Sequence, residues 1–92
     1  MNYVYILTNK NHTTLYIGVT SDIRKRLDQH MRNTANAFTR KYQLYKLIYI
    51  ESFEYIMDAI RREKQLKKWK RLWKEDLICL QNPHWEDLKD RI

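Results

Sequence analysis

The sequence predicts an α/β domain of three β-strands and several helices, and three observations support this fold class. The chain has 92 residues, which suffice for one hydrophobic core but not for two independent cores. β-Branched and aromatic residues are concentrated at residues 2–8, 14–19 and 45–53. In the remaining segments, apolar residues recur at spacings of three and four, as they do along one face of a helix. We therefore expect residues 1–92 to form a single domain.

The first two strand segments are predicted to form a β-hairpin over residues 2–19. The residues between them include Asn9 and Asn11, and asparagine is common in turns. Gly18 lies inside the second strand and is the only glycine of the chain. Because glycine weakens a strand, its presence here indicates either a special backbone geometry or the close approach of another group.

A helix is predicted over residues 21–31, where Thr20 or Ser21 can cap the N-terminus and Asp22 lies in the first turn. Its predicted buried residues, four positions apart, are Ile23, Leu27 and Met31. Residues 32–42 are polar and follow neither period, so we expect a connecting loop long enough to have its own function. Residues 45–53 form the third predicted strand. Both of its faces are partly apolar, which is typical of a central strand covered by helices.

Two further helices are predicted, over residues 55–69 and 71–80. The inward-facing residues of the first are Ile56, Ala59, Ile60, Leu66 and Trp69. Those of the second are Leu72 or Trp73, with Leu77 and Leu80. Pro83 ends the second helix, and a short terminal helix anchored by Trp85 is expected near residues 84–90.

The charge of the chain favours a polyanionic partner. The formal net charge is +7 and the sequence pI is about 9.6. A basic cluster consists of Arg61, Arg62, Lys64, Lys67, Lys68, Lys70, Arg71 and Lys74. Only one acid, Glu63, lies within it. Such a local positive field suits nucleic acid, although a solvated basic helix face gives the same pattern.

The single cysteine, Cys79, excludes an intramolecular disulfide and a zinc site built on several thiolates. Its position in an apolar helical pattern predicts a small core residue. The strand pattern starts at Asn2, so no signal peptide is expected before it, and no apolar stretch approaches the roughly 20 residues of a membrane span. We therefore expect a cytoplasmic protein that does not enter membranes.

Glu63 occupies the apolar face of its predicted helix, where leucine or isoleucine would be expected. A carboxylate in such a place costs several kcal/mol unless it is paired, hydrogen-bonded or bound to a cation. It therefore forms either a buried ion pair or a metal site that faces a cleft. Since it is a lone acid, the metal would keep several waters, which suits one hard divalent cation, Mg²⁺ or Mn²⁺.

Four other residues are candidates for catalysis. Arg26 and His30 lie one turn apart on one helix face, so a phosphate-binding guanidinium and a proton-transferring imidazole can enter one cleft. The alternative is a solvated helix edge. Tyr5 and Tyr16 lie on the two hairpin strands, where a phenol can orient or deprotonate water. Paired strand tyrosines are otherwise typical of cross-strand packing.

Taken together, these residues resemble the motifs of the GIY-YIG nuclease superfamily. The matching segments and residues are Tyr3-Val4-Tyr5, Tyr16-Ile17-Gly18, Arg26, His30 and Glu63. Within the superfamily, the chain resembles the small single-domain bacterial proteins of the UPF0213 type. Their characteristic segments match Arg62-Glu63-Lys64-Gln65-Leu66-Lys67-Lys68-Trp69 and Asn82-Pro83-His84-Trp85. Tyr3 and Val4 replace the glycine and isoleucine of the first motif, and that glycine carries no chemistry.

The resemblance implies a three-stranded antiparallel sheet flanked by helices and a metal-dependent endonuclease that cleaves phosphodiester bonds of nucleic acid, DNA in the first place. Tyr5 and Tyr16 match the motif tyrosines, one of which would activate water. Arg26 and His30 match the catalytic helix positions, Glu63 matches the metal-binding glutamate, and Gly18 supports the site. Asn82 matches a downstream asparagine at a looser spacing.

Three functions remain to be distinguished. The first is the endonuclease, in which the basic cluster and the loop at residues 32–41 hold the nucleic-acid backbone without choosing sequence. Its specificity would come from a protein partner, a homo-oligomer or DNA shape, or would be absent, because the chain has no room for a second binding domain. The second is a non-catalytic nucleic-acid-binding module of the same fold. The third is a domain that docks an acidic protein, which the salt dependence of DNA binding would separate.

Overall fold

The computed structural model describes residues 1–32 and 37–92, except for the side chains of residues 37 and 38. The elements, in chain order, are β1 (Asn2–Thr8), β2 (Leu15–Thr20), α1 (Ile23–Met31), α2 (Ala37–Tyr42), β3 (Lys46–Phe53), α3 (Ile56–Lys68), α4 (Arg71–Gln81) and a 3₁₀ helix (Lys89–Arg91). In the described part of the chain, no helix has the length and apolar character needed to cross a membrane.

The sheet of the described residues has three antiparallel strands in the order β2-β1-β3, which confirms the predicted sheet. The prediction that the third strand is central was wrong, since β1 is the central strand. β3 is nevertheless apolar on both faces, because helices and the C-terminal segment cover both sides of the sheet. A β-bulge places Ile48 between the pairs Leu7–Leu47 and Ile6–Tyr49, so Ile48 and Tyr49 both contribute to the same side of the core.

Two hydrophobic clusters lie on opposite faces of the sheet. The first contains Val4, Ile6, Ile17, Ile48, Tyr49, Ala59, Leu66 and Ile78. The second contains Tyr5, Leu7, Ile23, Leu27, Leu44, Leu47 and Leu88. Alternate residues of β1 enter opposite clusters, as the period of a strand requires. As a result, α3 and α4 pack on one face and α1 packs on the other.

Helix phase explains which predicted core positions are wrong. Met31 is exposed and His30 is buried, because a position eight residues after Ile23 is rotated by about 80° whereas one seven residues after is rotated by about 20°. In α4, Ile78 is buried and Leu80, half a turn away, is exposed. Other predicted inward residues that are exposed are Ile56, Leu72 and Trp73.

The ends and connections of the helices also differ from the predictions. α1 begins at Ile23, and Asp22 caps it by accepting a hydrogen bond of 3.1 Å from the backbone N–H of Lys25. Part of the predicted loop at residues 32–42 is the helix α2, while residues 33–36 lie outside the described residues. The terminal helix expected near residues 84–90 is reduced to the 3₁₀ turn Lys89–Arg91.

Cys79 is exposed, so its prediction as a core residue was wrong. It follows the buried Ile78 by one position, and one residue of a helix turns the side chain by about 100°. Its sulfur accepts a hydrogen bond of 3.3 Å from the indole Nε1 of Trp85. The cysteine therefore contacts the C-terminal segment rather than the core.

Candidate active site

Tyr5 and Gly18 face each other across β1 and β2, and the glycine makes room for the phenol. They are register partners in the hairpin. A Cβ atom on Gly18 would lie 2.4 Å from both Cζ and Oη of Tyr5, far inside van der Waals contact. Gly18 does not have a positive φ. Of the two explanations that the sequence left open, the close approach of another group is therefore the correct one.

A buried chain of hydrogen bonds begins at the Tyr5 hydroxyl. Tyr5 Oη lies 3.1 Å from Nε2 of His30, and Nδ1 of His30 lies 3.2 Å from Oγ1 of Thr39 on α2. All three residues are at most 1% exposed. Both ring nitrogens of His30 thus have partners, which fixes the orientation of the imidazole and of the phenol.

Tyr16 completes a cluster of three rings with Tyr5 and His30. The ring centroid of Tyr16 lies 6.3 Å from that of Tyr5 and 5.6 Å from that of His30, and the Tyr5 and His30 centroids are 5.9 Å apart. Tyr16 is only half-buried, in contrast to the other two. It is therefore the tyrosine of the cluster that is partly accessible to water.

Burial and neighbouring charges determine the protonation of the cluster. Burial, together with the charge of Tyr16 and a hydrogen bond with it, raises the pKa of Tyr5 well above its ordinary value. Burial and then the charge of Arg26 lower the pKa of His30 to about 4. At neutral pH, Tyr5 is consequently a phenol and His30 an uncharged imidazole that carries hydrogen on only one nitrogen.

Arg26 and Glu63 both exert their charges on the Tyr5 phenol. The guanidinium of Arg26 acts to lower the pKa of Tyr5, and the carboxylate of Glu63 acts to raise it. These two residues come from α1 and α3, which pack on opposite faces of the sheet. The fold thus brings five sequence-predicted residues from four elements to one region around β2, the edge strand.

The surroundings of Glu63 include an ion pair. Its side chain is 16% exposed, and its Oε1 lies 3.6 Å from Nζ of Lys67, whose side chain is 53% exposed. A cavity of about 300 Å³ beside Tyr16 is lined by Leu15, Tyr16, Ile17, Lys67 and Lys74. Lys67 therefore belongs both to the ion pair of Glu63 and to the wall of the cavity next to the half-buried Tyr16.

The donor set around Glu63 fits a hydrated hard cation. Among the described residues, no three histidine, cysteine, aspartate or glutamate side chains are grouped so that they could hold a metal ion. A cation here would have one protein carboxylate, with water and phosphate oxygens as its other ligands. Mg²⁺ and Mn²⁺ accept such a set, because they prefer oxygen and give up water reluctantly.

Burial of neutral His30 makes the stability of the protein depend on pH. In the unfolded chain the imidazole has its ordinary pKa of 6.5, whereas in the folded protein the pKa is about 4. Between these values the unfolded state binds the extra proton, so the free energy of unfolding decreases as the pH falls from 6.5 to 4 and is unaffected by His30 above this range. Urea unfolding is expected to show about 2 kcal/mol less stability at pH 5 than at pH 7 from this residue.

The variant His30→Gln is expected to remove most of this difference. His12→Gln is the matched control. Burial and the charges of Lys46 and Arg71 also lower the pKa of His12, but this substitution leaves the contribution of His30 in place. If the difference between pH 5 and pH 7 is the same in His30→Gln as in the unsubstituted protein, His30 is not the group that titrates.

Asn82 does not join the cluster. Its Nδ2 donates to the backbone carbonyls of Ile48 at 3.1 Å and Glu86 at 2.8 Å, and its Oδ1 accepts from the backbone N–H of Glu86 at 3.0 Å. The side chain is 4% exposed. Its hydrogen bonds hold the segment after α4 against β3, which is a structural role rather than the support of the site that the sequence suggested.

The seven predicted nucleic-acid-binding residues divide into two groups. Arg62 pairs with Glu51 at 3.0 Å, and Arg71 pairs with Glu75 at 2.9 Å while donating to the backbone carbonyls of His12 and Thr13. Both arginines therefore have partners within the fold, although Arg71 is also exposed. The other five are exposed: Arg61, Lys64, Lys67, Lys68 and Lys70. Of these, Arg61 pairs with Asp58 and Lys67 with Glu63.

Sequence reasoning missed Thr39 and the position of Lys74. Thr39 lies in a polar segment without a recognisable period, so nothing in the sequence marks it as a partner of His30. Lys74 belongs to the basic cluster, but only the packing of α4 against the sheet places it beside Tyr16. Both residues contact the site from elements distant in sequence from the hairpin.

Comparison with known proteins gives consistent matches. A family model described as the GIY-YIG catalytic domain matches residues 1–76, a range that includes Tyr5, Tyr16, Arg26, His30 and Glu63 but not Asn82. A UPF0213 protein of Clostridium perfringens is 37% identical over 92 residues, which are 100% of this chain and 98% of the relative. A UPF0213 protein of Syntrophus aciditrophicus is 40% identical over 83 residues, which are 89% of this chain and 93% of the relative.

A solved structure is also similar to this chain. It is the solution NMR structure of a UPF0213 protein from Bacillus halodurans, with a TM-score of 0.61 and 32% sequence identity. The similarity covers 95% of this chain and 93% of that one. The three-stranded sheet with its helices is therefore shared with an experimentally determined structure.

Proposed function

This chain belongs to the GIY-YIG family of nuclease domains, and on that premise we propose that it is a metal-dependent endonuclease that hydrolyses phosphodiester bonds in DNA. The observation that supports the proposal best is the grouping around Tyr5. One buried phenol contacts His30, packs beside Tyr16 and is subject to the charges of Arg26 and Glu63. A base, a phosphate-binding cation and a metal-binding carboxylate are the groups that phosphodiester hydrolysis requires.

Tyr16 is the tyrosine that we assign as the general base toward water. It is half-buried, whereas Tyr5 is fully buried and its raised pKa keeps it protonated, so that it cannot accept a proton from water. Tyr5 can instead donate its hydroxyl hydrogen to the oxygen of Tyr16 and so orient that side chain. This arrangement requires His30 to donate Nε2–H to Tyr5 and to accept at Nδ1 from the Thr39 hydroxyl, which the neutral imidazole permits.

Arg26 and Glu63 act on the phosphate. The guanidinium of Arg26 neutralises charge that develops on the scissile phosphate. The carboxylate of Glu63 would hold the divalent cation, which supplies positive charge to the departing 3′ oxygen when it is bound. Lys67 neutralises Glu63 in the free protein, and its Nζ can turn to a phosphate oxygen instead because the lysine is largely exposed.

Lysines of the basic cluster extend the site along the nucleic-acid backbone. Lys67 and Lys74 line the cavity next to Tyr16, and Lys64 and Lys68 line a groove on the same helix as Glu63. Contacts of this kind add affinity without choosing sequence. We therefore propose that the intrinsic sequence preference is weak and that a partner protein or a second copy supplies specificity.

Cleavage of labelled DNA is the direct test of the proposed function. We expect the protein to cut DNA with Mg²⁺ or Mn²⁺ and to stop when EDTA removes the metal, because tyrosine side chains cannot supply the positive charge of a metal ion at the leaving oxygen. The substrates to compare are blunt duplex, nicked, flapped, branched and single-stranded DNA, with RNA of the same sequences. Electrophoresis of the products gives the rates and the position of the cut.

The remaining outcomes separate the alternative functions. Tight binding without cleavage of any substrate would contradict the nuclease and favour a non-catalytic binding module. For such a module, a plot of the logarithm of the DNA-binding constant against the logarithm of salt concentration should have a slope of about −0.9 for each phosphate contacted. DNA binding that is absent, or weak and insensitive to salt, would contradict both functions and favour docking of an acidic protein.

A further inference from the structure

Trp73 is an unusually exposed aromatic residue on the outer side of α4. It is 52% exposed, and its neighbour Leu72 is 64% exposed. An indole has a large apolar surface, and together with Leu72 it makes an apolar area on this side of the helix, where a ligand can bind. The proposed reaction does not use this residue.

The contacts of Trp73 hold its ring in place. The ring centroid lies 6.2 Å from that of Trp69, with an angle of 82° between the planes. Trp69 is itself fixed, because it packs against the core and the guanidinium carbon of Arg62 lies 5.3 Å from its ring centroid. The contact with Trp69 therefore restricts the orientations of the Trp73 ring before any ligand binds, which lowers the entropy lost on binding.

Cations surround the two rings. Nζ of Lys70 lies 5.9 Å from the ring centroid of Trp73. A groove of about 470 Å³ beside Trp69 is lined by Arg61, Lys64, Gln65, Lys68 and Trp69. Lys74, which follows Trp73 in sequence, lines the cavity next to Tyr16. Trp73 therefore contacts Trp69, which lines the groove, and is next in sequence to Lys74, which lines the cavity.

We propose that Trp73 stacks on an unpaired base, and that the substrate therefore contains a single-stranded segment such as a flap, a branch or a free strand end. The inference rests on the proposed function for its connection with cleavage. Lysines around an aromatic ring suit a strand whose phosphates bind the cations while a base covers the ring. The bases of an intact duplex cannot do this, because their faces are already stacked on each other. An apolar protein partner fits this surface less well than a nucleic-acid strand does, because it would remove water from the lysines without neutralising their charge.

The test is binding of labelled oligonucleotides measured by fluorescence anisotropy in EDTA, where no cleavage occurs. Trp73→Leu is expected to bind a single-stranded oligothymidylate about 5-fold to 100-fold more weakly, and a blunt duplex with less than about a twofold change. Trp73→Phe, which keeps an aromatic ring, should retain most of the affinity for the single strand. Leu80→Ala is the control for loss of an exposed apolar group from the same helix, and it should change neither affinity. Circular dichroism checks that each variant is folded.

Two kinds of result would overturn the inference. One is an unchanged affinity of Trp73→Leu for the single strand, or an equal loss for single strand and duplex. The other is a dimer of the unsubstituted protein that Trp73→Leu converts to monomers in sedimentation, which would make the ring a contact between copies. These measurements need no cleavage, so a selective loss of single-strand binding supports stacking even if no nuclease activity is found. Conversely, the protein could cleave DNA with metal while Trp73→Leu binds the single strand as tightly as the unsubstituted protein does. This result would refute the stacking but not the proposed nuclease function.

Discussion

Replacement of Glu63 by glutamine is expected to reduce the rate of cleavage by about 1,000-fold while the protein still binds DNA. The amide has nearly the same volume as the carboxylate, but it lacks the charge that holds a hard divalent cation. Affinity measured in EDTA should be unchanged or higher, because one negative charge near the bound phosphates has been removed. Single-turnover cleavage and anisotropy on the same DNA measure the two effects.

The stability of Glu63→Gln distinguishes a catalytic carboxylate from a structural ion pair. Lys67, the partner in the structure, is 53% exposed, and a pair of this kind contributes less than about 1 kcal/mol to the free energy of unfolding. Asp58→Asn is the matched control on the same helix. It also removes one negative charge from an ion pair, in this case the pair with Arg61. Unfolding of Glu63→Gln, or cleavage within about tenfold of the unsubstituted rate, would contradict the assigned role.

Replacement of Gly18 by alanine is expected both to destabilise the fold by about 1–3 kcal/mol and to reduce cleavage by about 100-fold. The new Cβ would lie 2.4 Å from the end of the Tyr5 ring. That ring is 1% exposed and bound to His30 at its hydroxyl, so it cannot move without breaking its packing or its hydrogen bond. Urea unfolding and the cleavage rate measure the two consequences.

A double-mutant cycle isolates the steric cause. Without the clash, alanine in place of glycine would usually stabilise a strand, because it restricts the unfolded chain. Tyr5→Leu removes the phenol that the methyl group would meet, so Gly18→Ala should cost much less stability in that background. Activity should remain lost in the double variant, since Tyr5 is absent. Additive losses of stability would show that Gly18 is required for a reason other than room for Tyr5.

Local sequence patterns were sufficient to predict the three strands and the helices α1, α3 and α4, and to single out the candidate residues, but not to predict α2. Strand and helix periods depend on neighbouring residues, so the hairpin and the helix that carries Arg26 and His30 could be recognised from spacing alone. Glu63 could be identified because a carboxylate in an apolar helical pattern needs a partner. Gly18 could be identified because it is the single glycine in the chain and lies in a strand.

Contacts between elements could not be predicted in the same way, because no local period specifies which side chains meet across the fold. Thr39 became a partner of His30 only when α2 packed beside α1. Asn82 was assigned to the site by motif, whereas its hydrogen bonds to Ile48 and Glu86 give it a structural role. The prediction that Leu72 or Trp73 faces inward was wrong, because the phase of a short helix is set by the face that it packs against the sheet.

The sequence by itself determined the residue types available for catalysis, their strand or helical setting and the excess of positive charge. Only the tertiary structure decided that β1 is the central strand, that Tyr5 is buried while Tyr16 remains accessible, and that Arg62 and Arg71 are paired within the fold. The physical reason is that periodicity and charge are properties of single segments. Burial, pKa and ion pairing depend on what other segments bring to the same place.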